Sequence, residues 1–106
     1  MSGWIGVDLD GTLAHYTGWI SVEHIGEPIP NMVNRVKDWL SKGQELKIFT
    51  ARVCDGSEET RKYIEEWCLK HIGVVLPITN IKDYGMIELW DDRCVQVIIN
   101  TGNPIV

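Results

Sequence analysis

The sequence predicts an α/β fold in which a central, mostly parallel sheet of five strands is covered by helices on both faces. Short apolar runs of strand length recur along the chain, and two segments between them carry apolar residues at helical spacing. Strands that alternate with helices are typical of crossover units, which make the strands parallel. With 106 residues, 44% hydrophobic and 24% charged, we expect one globular domain spanning 1–106.

The first predicted strand covers residues 3–9, because branched aliphatic side chains fall on every second position, at Ile5, Val7 and Leu9. Gly11 permits a sharp turn just after it. The next segment, 15–30, contains glycines and prolines at short intervals, so it is too broken for a long helix. It is also too short for a separate domain, and we expect an irregular loop.

Two helices are predicted on either side of the second strand. The first begins at Pro30, a residue suited to a first helical turn, and ends at Gly43. The second begins near Ser57, has two glutamates in its first turn, and ends before Gly73. The run "ELKIFT", 45–50, lies between them and is short and apolar, which predicts the second strand.

Three further strands are predicted towards the C-terminus. The third is "VVLPIT", 74–79, where Pro77 cannot donate a ladder hydrogen bond and so limits the pairing to an edge or to a few residues. The fourth is "MIELW", 86–90, and the fifth is "CVQVII", 94–99. The predicted sheet therefore has five strands.

Composition argues against several classes of function. The formal net charge of −5 disfavours a broad nucleic-acid surface, which must neutralise many phosphates, but it leaves recognition of one phosphate open. No apolar run approaches the roughly 20 residues that span a bilayer, and the N-terminus lacks the features of a signal peptide. We therefore expect a cytoplasmic protein that does not associate with membranes. The three cysteines indicate neither a disulfide framework nor a zinc site.

Polar residues gather at the carboxyl ends of the predicted strands, where open parallel sheets form their sites. In chain order they are Asp8, Asp10, Thr50, Lys82, Asp91 and Asp92. Taken singly, each is also compatible with an ordinary turn, strand-end or surface residue. Four carboxylates at one edge, however, repel each other and require protonation or a cation. The sequence therefore predicts a functional site at this edge.

This pattern resembles the haloacid dehalogenase-like (HAD) phosphohydrolases. "DLDGTL", 8–13, matches their first motif, D-x-D-G-T, and "LWDDR" matches the acidic fourth motif. "KIFTAR" contains the second-motif threonine, and "TNIKD" contains a lysine that suits the third motif. The resemblance covers residues 3–98 and is greatest to small HAD proteins of phages and bacteria. It implies a Rossmann-like three-layer sandwich without a cap domain, since only the short loop 15–30 occupies the cap position.

The resemblance implies a Mg²⁺-dependent phosphatase that forms an aspartyl-phosphate. Asp8 would be the nucleophile, and Asp10 would protonate the leaving alkoxide and then deprotonate the attacking water. Thr50 would donate a hydrogen bond to a phosphoryl oxygen, and Lys82 would neutralise phosphoryl charge.

The same resemblance implies the metal ligands and further phosphate contacts. Mg²⁺ would be held by Asp8, the backbone carbonyl of Asp10, and Asp91 or Asp92, of which we favour Asp92. Backbone N–H groups of the first motif and one arginine are candidate substrate-binding groups, at Gly11, Thr12 and Arg52. A purely structural role for the arginine is equally compatible with the sequence.

The expected substrate is phosphorylated, either a small molecule such as a nucleotide or a nucleic-acid end. An open, capless site could admit a large substrate or use a neighbouring subunit of a homo-oligomer as its lid. Two alternatives remain. A phospho-receiver domain also clusters aspartates, but its phosphorylated aspartate lies at mid-chain, where this chain has Thr50. A non-catalytic phosphate-binding or partner-binding domain is disfavoured because all four motifs are filled.

Overall fold

The computed structural model describes residues 2–105, which form a four-stranded parallel sheet and two helices. The strands are β1 (Trp4–Val7), β2 (Glu45–Phe49), β3 (Ile78–Thr79) and β4 (Met86–Trp90), and the helices are α1 (Pro30–Ser41) and α2 (Glu58–His71). The order across the sheet is β3-β2-β1-β4, with every neighbouring pair parallel. The predicted α/β class with a parallel sheet is confirmed.

Both helices begin and end close to the predicted residues. Pro30 is the first residue of α1, and Gly43 follows its end with a φ of +80° that suits glycine. The side chain of Ser57 accepts a hydrogen bond from the backbone of Thr60 and so caps the N-terminus of α2. Within residues 2–105, neither helix is long and apolar enough to cross a membrane.

The hydrophobic core lies on a single face of the sheet. Ile5 pairs with Leu46 and Val7 with Ile48, so these four side chains share one face, and all are buried. Both helices pack there, through Met32, Val33, Val36, Ile64, Trp67 and Cys68. The two crossovers step in the same direction along the sheet, and right-handed connections then place both helices on the same side. The part of the chain that the structure describes therefore forms two layers, instead of the three expected.

The opposite face of the sheet is covered by side chains and by the connection into β4. The ammonium group of Lys47 lies 4.6 Å from the ring centroid of Trp4, and the indole N–H of Trp4 donates to Asp83 at 2.8 Å. The connection between β3 and β4 contains no helix. This connection therefore adds no helix to the opposite face, which lacks the expected third layer.

The predicted fifth strand, 94–99, is wrong. The segment folds back on itself: the backbone N–H of Ile98 donates to the carbonyl of Asn103 at 2.8 Å, and Asn100 lies in the turn with a φ of +65°. The physical reason is the length of the connection. Residues 91–93 alone separate β4 from this segment, whereas a parallel strand needs a crossover of about a dozen residues or more.

The predicted third strand is present but shorter than the apolar run 74–79. β3 begins directly after Pro77, which has no N–H to donate to a ladder. The carbonyl of Pro77 still accepts from the backbone N–H of Ile48 at 2.8 Å. β3 is therefore a short edge strand, as the proline predicted.

Candidate functional site

The parallel register brings the carboxyl ends of three strands to the same level. Val7, the last residue of β1, pairs with Ile48 of β2 on one side and with Trp90 of β4 on the other. The backbone N–H of Asp8 then donates to the carbonyl of Trp90 at 2.9 Å. Residues that follow β1 and β4 are consequently neighbours in space, although most of the chain lies between Asp8 and Asp91 in the sequence.

Asp8, Asp91 and Asp92 form a compact group that we call the acidic cluster. One carboxylate oxygen from each residue lies within 4.8 Å of the other two. The turn that carries the last two aspartates is fixed by the backbone N–H of Arg93, which donates to Asp91 Oδ1 at 2.8 Å. The structure thus brings together Asp8 of the first motif and both aspartates of the fourth motif.

Gly11 allows the acidic cluster to close. Its φ is +90°, and a Cβ atom at this position would lie 2.5 Å from Oδ2 of Asp92. Both the backbone conformation and the space therefore require glycine. The turn 9–14 can approach the fourth-motif aspartates because it has no side chain at this point.

The surroundings of Asp8 raise its pKa from the ordinary value of 3.8 to about 8. Burial of the carboxyl group is the largest cause, followed by its contact with Asp92 and the negative charges of Asp91 and Asp92. The hydroxyl of Thr12 donates to Oδ2 of Asp8 at 3.4 Å. A cation in the acidic cluster would offset the repulsion and favour the ionised form of Asp8.

A cavity of about 890 Å³ opens beside the acidic cluster. Six of the predicted site residues line it, namely Asp8, Asp10, Thr50, Arg52, Asp91 and Asp92. Asn80, which was not among the predicted site residues, also lines the cavity. Asn80 follows β3 directly, so strict application of the strand-end rule would have identified it.

Thr50 is a buried polar residue at the edge of this cavity, with 2% of its surface exposed. Its backbone N–H donates to the carbonyl of Thr79 at 3.0 Å, and this bond extends the pairing of β2 with β3 by one residue. Its hydroxyl oxygen accepts from the backbone N–H of Arg52 at 3.2 Å and caps the single 3-10 turn Ala51–Val53. The hydroxyl retains its own hydrogen for donation to a ligand oxygen.

Asp10 lies outside the acidic cluster and forms an ion pair with Arg52. Nε of the arginine donates to Oδ2 of the aspartate at 2.6 Å, and Nη2 donates to Oδ1 at 2.8 Å. The side chain of Asp10 is 19% exposed, and that of Arg52 is 6% exposed. No local pattern predicted this pair, because the two residues are 42 positions apart.

Three of the predicted site residues do not line the large cavity. Lys82 is exposed, and the backbone N–H groups of Gly11 and Thr12 already donate within their own turn, to Ala14 and Leu9 respectively. The structure therefore leaves the ammonium group outside the cavity and the two amides engaged. Their roles towards a phosphate stay predictions.

The loop in the cap position, 15–29, is held at several points. The backbone N–H of His15 donates to the carbonyl of Glu27 at 2.8 Å, and the indole N–H of Trp67 in α2 donates to the carbonyl of Gly26 at 3.0 Å. The loop borders a second cavity of about 220 Å³, which shares Tyr16, Asp10 and Arg52 with the larger one. This loop therefore forms one wall of the candidate site.

Comparison with known proteins supports the fold. No family model matches this chain, and no curated protein matches it. The solved structure of a conserved protein from Bacteroides thetaiotaomicron is similar, with a TM-score of 0.65 and 25% sequence identity. The match covers 90% of this chain and 79% of that chain. This chain therefore shares its α/β fold with that protein over most of its length.

Proposed function

We propose that this protein is a small, capless phosphatase of the HAD type, with a Rossmann-like fold, that hydrolyses a phosphomonoester through an aspartyl-phosphate. One observation carries the proposal: the acidic cluster lies at the carboxyl edge of the sheet and borders a cavity that Asp10 and Thr50 also line. A carboxylate nucleophile needs such a cavity, together with a cation that offsets its repulsion from phosphate.

The acidic cluster fits a divalent cation that prefers oxygen ligands. All three of its donors are carboxylates, which suit Mg²⁺. Asp8, Asp91 and Asp92 would hold the ion, with the backbone carbonyl of Asp10 as a further oxygen ligand implied by the resemblance. When bound, Mg²⁺ supplies positive charge that lowers the repulsion between the nucleophile and the phosphoryl group.

The residues of the chain divide the reaction into two displacements. In the first, a carboxylate oxygen of Asp8 attacks phosphorus, the bond from phosphorus to the leaving oxygen breaks, and Asp10 donates a proton to that oxygen. In the second, Asp10 takes a proton from water, the water oxygen attacks the same phosphorus, and the bond from phosphorus to the Asp8 oxygen breaks, which releases phosphate and restores the carboxylate of Asp8. The hydroxyl of Thr50 donates to a phosphoryl oxygen in both steps.

A nucleotide or a nucleic-acid terminal phosphate remains our candidate substrate. The cavity of about 890 Å³ lies within the usual range of roughly 300–1,000 Å³ for ligand pockets. Two exposed aromatic rings, Tyr16 and Trp19, line it beside Asp10 and offer stacking surfaces for a base. Arg52, a candidate phosphate contact from the sequence, does not support this choice, because its guanidinium group binds Asp10.

The test is phosphate release from a generic aryl phosphate, measured with Mg²⁺ and with EDTA for the wild type and for Asp8→Asn. We expect turnover that requires the metal, and a loss of kcat on the order of 10³-fold or more in the variant. Asp55→Asn is the matched control, because Asp55 lines the same cavity outside the acidic cluster. Full activity of Asp8→Asn would contradict the proposal, and stoichiometric labelling without release would indicate a phospho-receiver instead.

A further inference from the structure

We propose that Arg52 is a positioning residue that orients the carboxylate of Asp10 and fastens the loop segment 19–24 beside it, and that it is not a phosphate ligand. The catalytic consequence rests on the proposed function of Asp10 as general acid and base. We call the contacts of Arg52 with the segment 19–24 the tether, and these contacts are independent of that function.

The ion pair between Arg52 and Asp10 is bidentate. Arg52 binds both carboxylate oxygens of Asp10 through two adjacent N–H groups, at 2.6 and 2.8 Å. Two parallel bonds from a planar guanidinium group fix the plane of a carboxylate as well as its distance. Rotation of the Asp10 side chain would break both bonds, so the pair holds this side chain in one orientation.

The same guanidinium group also contacts the loop. Nη1 donates to the carbonyl of Val22 at 3.3 Å, and Nη2 donates to the carbonyl of His24 at 2.9 Å. The guanidinium carbon also lies 5.0 Å from the ring centroid of Trp19, within the range of a cation–π contact. Arg52 thereby connects the segment 19–24 to Asp10.

These contacts leave Arg52 little capacity for phosphate. Four of its five N–H groups donate within the protein, and its side chain is 6% exposed. A phosphate would have to displace Asp10 or the loop carbonyls. In contrast, each carboxylate oxygen of Asp10 offers two lone-pair sites and uses one for Arg52, so one site on each oxygen can face a leaving group.

The kinetic test compares an alkyl phosphate with an aryl phosphate in the presence of Mg²⁺. Alkoxide departs poorly without a proton, so a misplaced Asp10 affects the alkyl substrate more. In Arg52→Lys we expect kcat to fall on the order of 10²-fold with the alkyl phosphate and by less than about 10-fold with the aryl phosphate, with KM unchanged. A raised KM with unchanged kcat would show a phosphate ligand and overturn the inference, as would equal losses on both substrates.

Arg35→Lys is the matched control, because the guanidinium group of Arg35 also lies over a tryptophan ring, at 4.9 Å from Trp90, but lines neither cavity. We expect it to leave both rates unchanged, and a loss equal to that of Arg52→Lys would overturn the inference.

A second measurement needs no substrate. It therefore tests the tether independently of the proposed phosphatase function. The backbone N–H of His24 donates to the carbonyl of Ser21 at 3.2 Å, and its hydrogen exchange should become at least about 10-fold faster in Arg52→Lys and stay unchanged in Arg35→Lys. Unchanged exchange in Arg52→Lys would overturn the tether even in an active enzyme. Faster exchange in a protein without phosphatase activity would support the tether and reject the proposed function.

Discussion

At the scale of single residues, Asp8 shows how the fold changes the chemistry of a side chain. Its raised pKa has a consequence for stability, because the folded protein holds this proton more tightly than the unfolded chain does. Between the ordinary value of 3.8 and about 8, the folded state binds more protons than the unfolded state. Raising the pH through this window removes the proton from a crowded, partly buried carboxyl group. The free energy of unfolding should therefore fall as the pH rises.

We accordingly expect the free energy of unfolding of the metal-free protein to fall as the pH rises from about 5 to about 8. In Asp8→Asn this fall should be smaller. The variant keeps the shape of the side chain but carries no charge at any pH in this range, so at about pH 8 it should melt at a higher temperature than the wild type. Thermal unfolding in EDTA across this pH range checks the prediction. An equal pH dependence in both proteins would contradict it. Addition of Mg²⁺ should stabilise the wild type more than Asp8→Asn.

Thr50 and Arg52 lie two positions apart but have different tasks at the site. Thr50 follows β2 directly, and its place could be predicted from the end of a strand. The place of Arg52 could not, because its partners lie in the turn after β1 and in the loop 15–29, which precede it by 28 to 42 residues. A strand-end pattern locates a residue along one element, whereas an ion pair depends on two elements that meet only after folding.

At the scale of elements, the turn after β1 is the part on which the site most depends. Gly11→Ala would place a methyl group against the carboxylate of Asp92 at a φ of +90°. We expect a loss of unfolding free energy of about 1–3 kcal/mol and a weaker stabilisation by Mg²⁺, because the fourth-motif turn must move away. Denaturant unfolding with and without Mg²⁺ measures both effects.

Gly43→Ala is the matched control for this prediction. Gly43 has a similar φ of +80°, but a Cβ atom there meets nothing within 4 Å. The control should lose stability through backbone strain alone and keep its full response to Mg²⁺. If both variants kept that response, the close approach of Gly11 to the acidic cluster would be irrelevant to metal binding.

Helices were easier to predict than strands in this chain. α1 and α2 carry their own signals, such as Pro30 at one start, a capping serine at the other, and glycines after both ends. A strand exists only if a partner is within reach. The apolar run 94–99 has the composition of a strand, but three residues are too few to return it to the sheet in parallel.

At the scale of the whole molecule, distant contacts hold the loop 15–29 against the helical layer. The indole N–H of Trp67 donates to the carbonyl of Gly26 across 41 positions. Trp67→Phe removes this donor and keeps most of the apolar surface, so we expect a loss of about 1–3 kcal/mol in unfolding free energy. Limited proteolysis should cut the loop 15–29 faster in the variant. Trp39→Phe is the control, because the ring of Trp39 packs against that of Trp90.

The local pattern of residues determined the α/β class, the two helices, and the strand-end positions of Asp8, Thr50, Asp91 and Asp92. These features could be predicted because helical period, strand length and capping are properties of neighbours in the chain. Only the tertiary structure decided that both helices share one face, that the sheet has four strands, and that Asp10 pairs with Arg52. Those features depend on strand order, register and the length of connections. Such properties arise between elements and leave no periodic signal within any one of them.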